Sequence, residues 1–186
     1  MLAPPEALLY YKTDEYAREL DQLVVENRQK LDANGLGDRV MAHWRANENK
    51  IHGSYGGKYC VIIAGALLMR AGAKIKESDL QHLRELVPQI NCNPGYALPF
   101  MDEGFRGPGK AQFLAALDNY QPGSPRSFQE SSCFSCGKVK ADVGNKPLQC
   151  ARCEGAWYCN KDCQRGHWKA HKPSCIDPRK KILLNV

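Results

Sequence analysis

No stretch of this 186-residue chain offers the 20 or so consecutive apolar residues that a bilayer-spanning helix needs. The most apolar run, Tyr59 to Met69, is shorter and is bracketed by Lys58 and Arg70, so no membrane span is expected. A secretory signal is missing too: Met1 to Leu9 carries Pro4, Pro5 and Glu6 in place of a basic start and an apolar core. Catalytic signatures are equally scarce. Gly107-Pro-Gly-Lys110 is not a phosphate loop, because it lacks the leading glycine and the Ser/Thr after the lysine. His43, His52, Cys60, Cys92, Asp102 and Glu103 fall into no nucleophile elbow or metal triad. The chain has no internal repeat, no Arg-rich run with interleaved aromatics and no evident recognition helix. These absences predict a non-enzymatic protein of the nucleus or cytoplasm that does not bind nucleic acid directly. An enzyme whose activity lies unrecognised in residues 1–120 is the alternative.

Charge supports that expectation. The formal net charge of +6 lies wholly in residues 127–186, with eleven Lys/Arg against five Asp/Glu; residues 1–126 carry fifteen of each. Seven metal-bound thiolates and two divalent ions would bring the basic half to about +3, a mild excess.

What the chain has is cysteine, concentrated. Seven of its nine cysteines fall between Cys133 and Cys175. With His171 they read C-x2-C-x13-C-x2-C-x5-C-x3-C-x7-H-x3-C, from Cys133 and Cys136 through Cys150, Cys153, Cys159 and Cys163 to His171 and Cys175. Seven thiols leave one over in any disulfide framework, and disulfides give the histidine no role. Eight ligands are what two tetrahedral zinc ions require. A reducing compartment points the same way, since clustered thiols there usually bind metal. Both sites would be coordinatively full, with no position open for water or substrate, so the ions are structural. They supply folding free energy to a segment too short to build an adequate core. Spacing leaves the pairing open: sequential and interleaved ligand sets satisfy the count equally.

The ligand order, the short C-x3-C and H-x3-C spacings, and Gln164 with Trp168 resemble a MYND-type zinc finger over residues 133–175. The resemblance implies interleaved ligation, with Cys133, Cys136, Cys159 and Cys163 on one zinc and Cys150, Cys153, His171 and Cys175 on the other. His167, one helical turn before His171, is expected to be exposed or to support a ligand rather than replace one. The resemblance also implies a protein-interaction module that takes proline-containing peptides in extended form, with Gln164 and Trp168 at the contact positions. An indole beside an amide can hold a proline ring and a backbone group together; an indole can equally be the core of a small zinc fold. Some fingers of this type sit in SET-domain lysine methyltransferases, but this chain lacks the Asn-His pair of their cofactor site. A RING-type reading fails at Cys150-Ala-Arg-Cys153, where C-x-H is expected.

The expected architecture is a mostly α N-terminal domain, residues 1–120, followed by a linker at 121–132. The two-zinc finger of short hairpins and C-terminal helices comes next, at 133–175, and then a basic tail at 176–186. Helical periodicity places Tyr16, Leu20, Leu23, Val24 and Leu31 on one face of a helix over 13–33, begun by Thr13 or Asp14. Shorter helices are expected over Asp38–Asn47 and Lys110–Tyr120. Ser78 with Gln81 reads as a capping box for a helix closed by Pro88. Residues 59–71 read as a buried central helix, with a strand through Cys60–Ala64 the rival and Cys60 in the core. The Gly/Pro-rich stretch 91–109 is long for a structureless connection. Residues 121–132 are polar with two prolines and read as a boundary.

Overall fold

The computed structural model describes residues 14–52, 55–90, 92–93, 105–106 and 109–180. Thr13, most of the 91–109 stretch and residues 181–186 of the tail lie outside them, as do the side chains of Tyr16, Leu20 and Val24. The chain is mostly helical, with a small hairpin in its C-terminal part. Helix α1 (Asp14–Ala33) turns at Asn34–Gly35 into α2 (Leu36–Ala46). A short antiparallel pair, β1 (Ile51–His52) and β2 (Tyr55–Gly56), leads into α3 (Gly57–Ala71). Next come α4 (Glu77–Leu86), a parallel pair β3 (Cys92–Asn93) and β4 (Phe105–Arg106), and α5 (Gly109–Asp118). The C-terminal part holds α6 (Lys140–Val143), the antiparallel pair β5 (Leu148–Gln149) and β6 (Trp157–Tyr158), and α7 (Lys161–His171).

The helical core gathers Met41 from α2, Val61, Ile62, Leu68 and Met69 from α3, Leu80, Leu83 and Leu86 from α4, and Phe113 and Leu117 from α5. Each large apolar side chain fully removed from water here contributes roughly 1.5–3 kcal/mol. Polar ties fix the helices to one another. The Tyr120 hydroxyl donates to the Ala73 carbonyl at 2.6 Å and accepts from the Ile75 N–H at 2.9 Å. Arg45 pairs with the buried Asp79 at 2.5 Å, joining α2 to α4.

Three expectations need correction. The 59–71 run is helical, but it is not buried all round: Ile63 and Leu67 face outward and Cys60 is half-buried. Neighbouring helices cover only one side of α3, and apolarity cannot say how many neighbours a helix has. Helix α4 starts before Ser78, at Glu77 with Lys76 as its N-cap and no side-chain cap, so the capping box does not form. Leu23 on α1 is exposed.

The stretch at 121–132 is docked rather than loose. The Gly123 N–H donates to the Gly72 carbonyl, and the Arg126 N–H to the Met69 carbonyl, so the chain runs across the end of α3. Gly72 has φ +68°, and a Cβ there would meet the backbone at Ser124–Pro125 at 2.9 Å. Glycine is therefore required at this crossing both for its dihedral and for its size. Phe128 stacks on Phe113 with ring centroids 6.5 Å apart, and the Gln112 amide donates to the Phe128 carbonyl.

The same stretch fastens the C-terminal part to the helices. The Arg126 guanidinium grips both carboxylate oxygens of Asp142, and the two side chains are only 11% and 3% exposed. Asp142 also accepts from the Val139 N–H at 2.9 Å. Nearby, Gly137 presses its backbone onto the first turn of α5: a Cβ there would sit 1.9 Å from the Ala111 carbonyl oxygen. Gly137 also has φ +74°, so glycine is again demanded twice over.

Candidate metal centre and adjoining groove

The C-terminal part has its own small core of cysteines with Ala156 and Tyr158, and it is built from turns. The Gly137 N–H donates to the Cys133 carbonyl at 2.7 Å, curling Cys133 and Cys136 into one turn. The Glu154 N–H donates to the Cys150 carbonyl at 2.9 Å and does the same for Cys150 and Cys153. Glu154 takes a left-handed φ of 52° there. The β5–β6 hairpin joins the two turns. Its register sets Leu148 opposite Tyr158 and Gln149 opposite Trp157. The Phe134 N–H donates to the Trp157 carbonyl at 2.8 Å, drawing the first turn against β6 and bringing Cys159 beside it. Asn160 then caps α7 by accepting from the Cys163 N–H at 2.9 Å. Cys163, His167 and His171 follow at four-residue spacing, one stripe of that helix. A 3-10 turn over Lys172–Ser174 brings Cys175 back.

The result is two ligand clusters. Cys133, Cys136, Cys159 and Cys163 form one; Cys150, Cys153, His171 and Cys175 form the other, and all four of the latter are buried. Within each cluster the ligand atoms lie within 4.8 Å of one another. These are the interleaved sets. Cys136 and Cys159 sulfurs are 3.5 Å apart, Cys150 and Cys175 sulfurs 3.8 Å, and Cys153 Sγ lies 3.5 Å from His171 Nε2. A tetrahedron with Zn–S bonds of about 2.3 Å has edges of roughly 3.8 Å, and an S–N edge of roughly 3.5 Å. A disulfide would need about 2.05 Å. The donor set and its spacing therefore fit two zinc ions, and among the described residues neither cluster has a fifth donor.

Electrostatics point the same way. Burial raises the thiol of Cys133, but the N–H groups of Cys136, Cys159 and Ser135 outweigh it and bring the group down to about 7. In the other cluster burial again opposes, while the Cys153 N–H and His171 bring Cys150 down to about 6. Cys163 and Cys175 are pushed up to about 11, by burial and then by hydrogen bonding and charge from the cysteines of their own cluster, Cys133 for the one and Cys150 for the other. Without a cation, then, each cluster can hold only part of its negative charge. A divalent ion removes that conflict, and zinc-bound thiols are thiolates.

His167 joins neither cluster. It is half-buried between the two, hydrogen-bonded through Nδ1 to the Tyr158 hydroxyl at 3.1 Å. Its ring stacks on His171 at 6.2 Å and meets Phe134 edge-on at 6.4 Å. Burial, and then the neighbouring His171, hold its pKa below the ordinary value. Sequence spacing did not reveal this aromatic layer, which comes from three separate segments.

The outward side of α7 carries a shallow open pocket of about 410 Å³ lined by Lys161, Gln164, Arg165 and Trp168. Trp168 is 39% exposed and rests edge-on against His171 with ring centroids 5.9 Å apart. Gln164 and Trp168 were expected at a contact edge from the sequence. Lys161 and Arg165 were not, although positions i, i+3, i+4 and i+7 of one helix would have grouped all four.

Ligand clusters interleaved in this way, on a hairpin and a following helix, define a zinc-stabilised interaction module. Residues 133–175 match the family described as the MYND finger, and this segment is a MYND-type finger. Curated relatives share this region. The N-lysine methyltransferase SMYD2 of Gallus gallus is 33% identical over 85 residues, 39% of this chain and 19% of that protein. The histone-lysine N-methyltransferase ASHR1 of Arabidopsis thaliana is 37% identical over 80 residues, 37% of this chain and 16% of that one. Egl nine homolog 1 of Homo sapiens is 39% identical over 62 residues, 32% of this chain and 13% of that one. The chain thus spans less than a fifth of the length of these relatives. No solved structure matches it. Among the described residues, no helix is long and apolar enough to cross a membrane.

Proposed function

We propose that this chain is a non-enzymatic recruiting protein whose finger captures proline-containing peptides in an extended form, with the helical region as its rigid support. The observation that carries this is the pocket on α7, where an exposed indole lies beside an amide. Trp168 is braced by a metal ligand and not enclosed by a core, which suits a ring that receives a proline. Gln164 offers a donor and an acceptor to the peptide backbone. The zinc ions take no part in chemistry; they hold α7 against the hairpin. Methyltransferase activity belongs to two of the named relatives, but they match only 39% and 37% of this chain.

The test is calorimetric titration of the full, zinc-loaded chain with a proline-rich peptide library. Binding in the micromolar range or weaker is expected, about 8 kcal/mol or less, because an extended peptide loses entropy on ordering. Trp168→Ala should remove about 1–2 kcal/mol while retaining two zinc ions. Unchanged affinity in a metal-replete variant would assign Trp168 to structure alone.

A further inference from the structure

We infer that the α7 pocket selects proline-containing peptides with acidic residues close to the proline on the side facing the helix N-terminus. The inference rests on the peptide-binding reading above and adds the partner's chemistry. Of the four side chains that line the pocket, two are cations, Lys161 and Arg165, and none is acidic. Both are exposed, so neither is committed to the fold. Asp162 lies 3.6 Å from Arg165, with both side chains more than three-quarters exposed. Such a surface pair is worth little, and a peptide carboxylate can displace it. Cys163, His167 and His171 occupy the stripe facing the metal clusters, which leaves the Lys161–Gln164–Arg165–Trp168 stripe free for a ligand.

Helix geometry gives the register. A rise of about 1.5 Å per residue puts Arg165 roughly 4.5 Å and Lys161 roughly 10.5 Å from Trp168 along the axis. An extended peptide advances about 3.3 Å per residue. With its proline on Trp168, a carboxylate one or two residues away reaches Arg165, and one about three residues away reaches Lys161. The N-terminus of α7 adds a partial positive charge on the same side. A nucleic acid is the poorer occupant, because Asp162 interrupts the cations and zinc ligation leaves the basic half of the chain with only about +3.

The test uses the full zinc-loaded chain and four probes: a neutral proline-containing peptide, the same peptide with glutamates one and three residues from the proline, the same peptide with lysines at those positions, and a single-stranded oligonucleotide. The acidic peptide should bind about threefold to tenfold tighter than the neutral one at low salt, and the preference should shrink at high salt. Lys161→Gln with Arg165→Gln should abolish the preference, so that the variant binds the acidic and the neutral peptide with the same affinity. Lys161→Glu with Arg165→Glu should reverse it toward a lysine-flanked peptide. Equal affinities for the acidic and neutral peptides in the wild type, with Trp168-dependent binding of both, would overturn this inference and leave the peptide-binding reading standing. Absence of binding by any proline peptide would overturn both. Tighter binding of the oligonucleotide than of the acidic peptide would replace this partner with a nucleic acid.

Discussion

Cys150 shows what can and cannot be read from a sequence at the scale of one residue. Its being a ligand is legible, because C-x2-C places two sulfurs on one tight turn whatever the rest of the chain does. Its partners are not, because pairing is decided between residues far apart. The bond from the Phe134 N–H to the Trp157 carbonyl ties Cys159 to the first turn, and α7 then carries His171 back to the second. Elemental analysis of protein purified without added metal should give two zinc ions per chain; a ratio near one would reject the two-site reading. Cys150→Ser and His171→Ala should weaken the same ion. In cadmium-substituted protein, cadmium–proton correlations should connect Cys150 with Cys153, His171 and Cys175, and a metal shared by Cys150 and Cys133 would reject the interleaved sets. As pocket-lining residues, Gln164 and Trp168 were singled out only through the family resemblance, and Lys161 and Arg165 escaped notice because charges on a helix usually mark a solvated face.

At the scale of elements, the helices were legible and their junctions were not. Apolar spacing located α1, α2, α4 and α5 to within a few residues. Composition alone presented 121–132 as a tether, because polar and proline-rich residues look alike whether free or docked. Its docking depends on Arg126 meeting Asp142 and on Gly137 meeting the α5 backbone, contacts no periodicity encodes. Arg126→Ala should destabilise the fold by about 3–5 kcal/mol, because it leaves the Asp142 carboxylate buried without its cation. Replacing both partners by apolar residues of similar size should cost much less, and denaturant titrations of the single and double variants separate the two cases. Equal losses in both would mean that the pair itself, rather than the orphaned charge, carries the energy. Burial raises the Asp142 carboxyl, but Arg126 more than offsets this and holds it below the usual carboxylate range. Its stabilisation is therefore complete above the unfolded value of about 3.9 and is lost only as pH falls through the lower folded value.

For the whole molecule the question is whether the finger and the helices stand or fall together. A zinc-dependent finger joined through residues 121–132 predicts that chelation unfolds residues 133–175 and spares the rest. Two structural facts bear on it in opposite directions. The two cores are separate: among the described residues, the helical one contains none beyond Phe128 and the cysteine core none before Cys133. Yet the seam between them buries an ion pair and sets Gly137 against the backbone of α5. The separate cores decide the secondary structure, since α1 alone has 20 residues against 11 in α7, and α1–α5 contain no ligand of either cluster. The seam decides local stability. Removing zinc releases on the order of 10 kcal/mol or more of binding free energy from the finger, far more than its small core can replace. Circular dichroism after chelation should therefore keep most of the helical signal. Hydrogen exchange should show α7 unprotected, and protection should fall at Lys110–Phe113 and Arg126–Phe128, where the helices lose their partner across the seam. Collapse of the whole helical signal would mean that the seam, and not either core, governs the cooperativity of the chain. Unchanged exchange at Lys110–Phe113 would mean that the finger rests on α5 without supporting it.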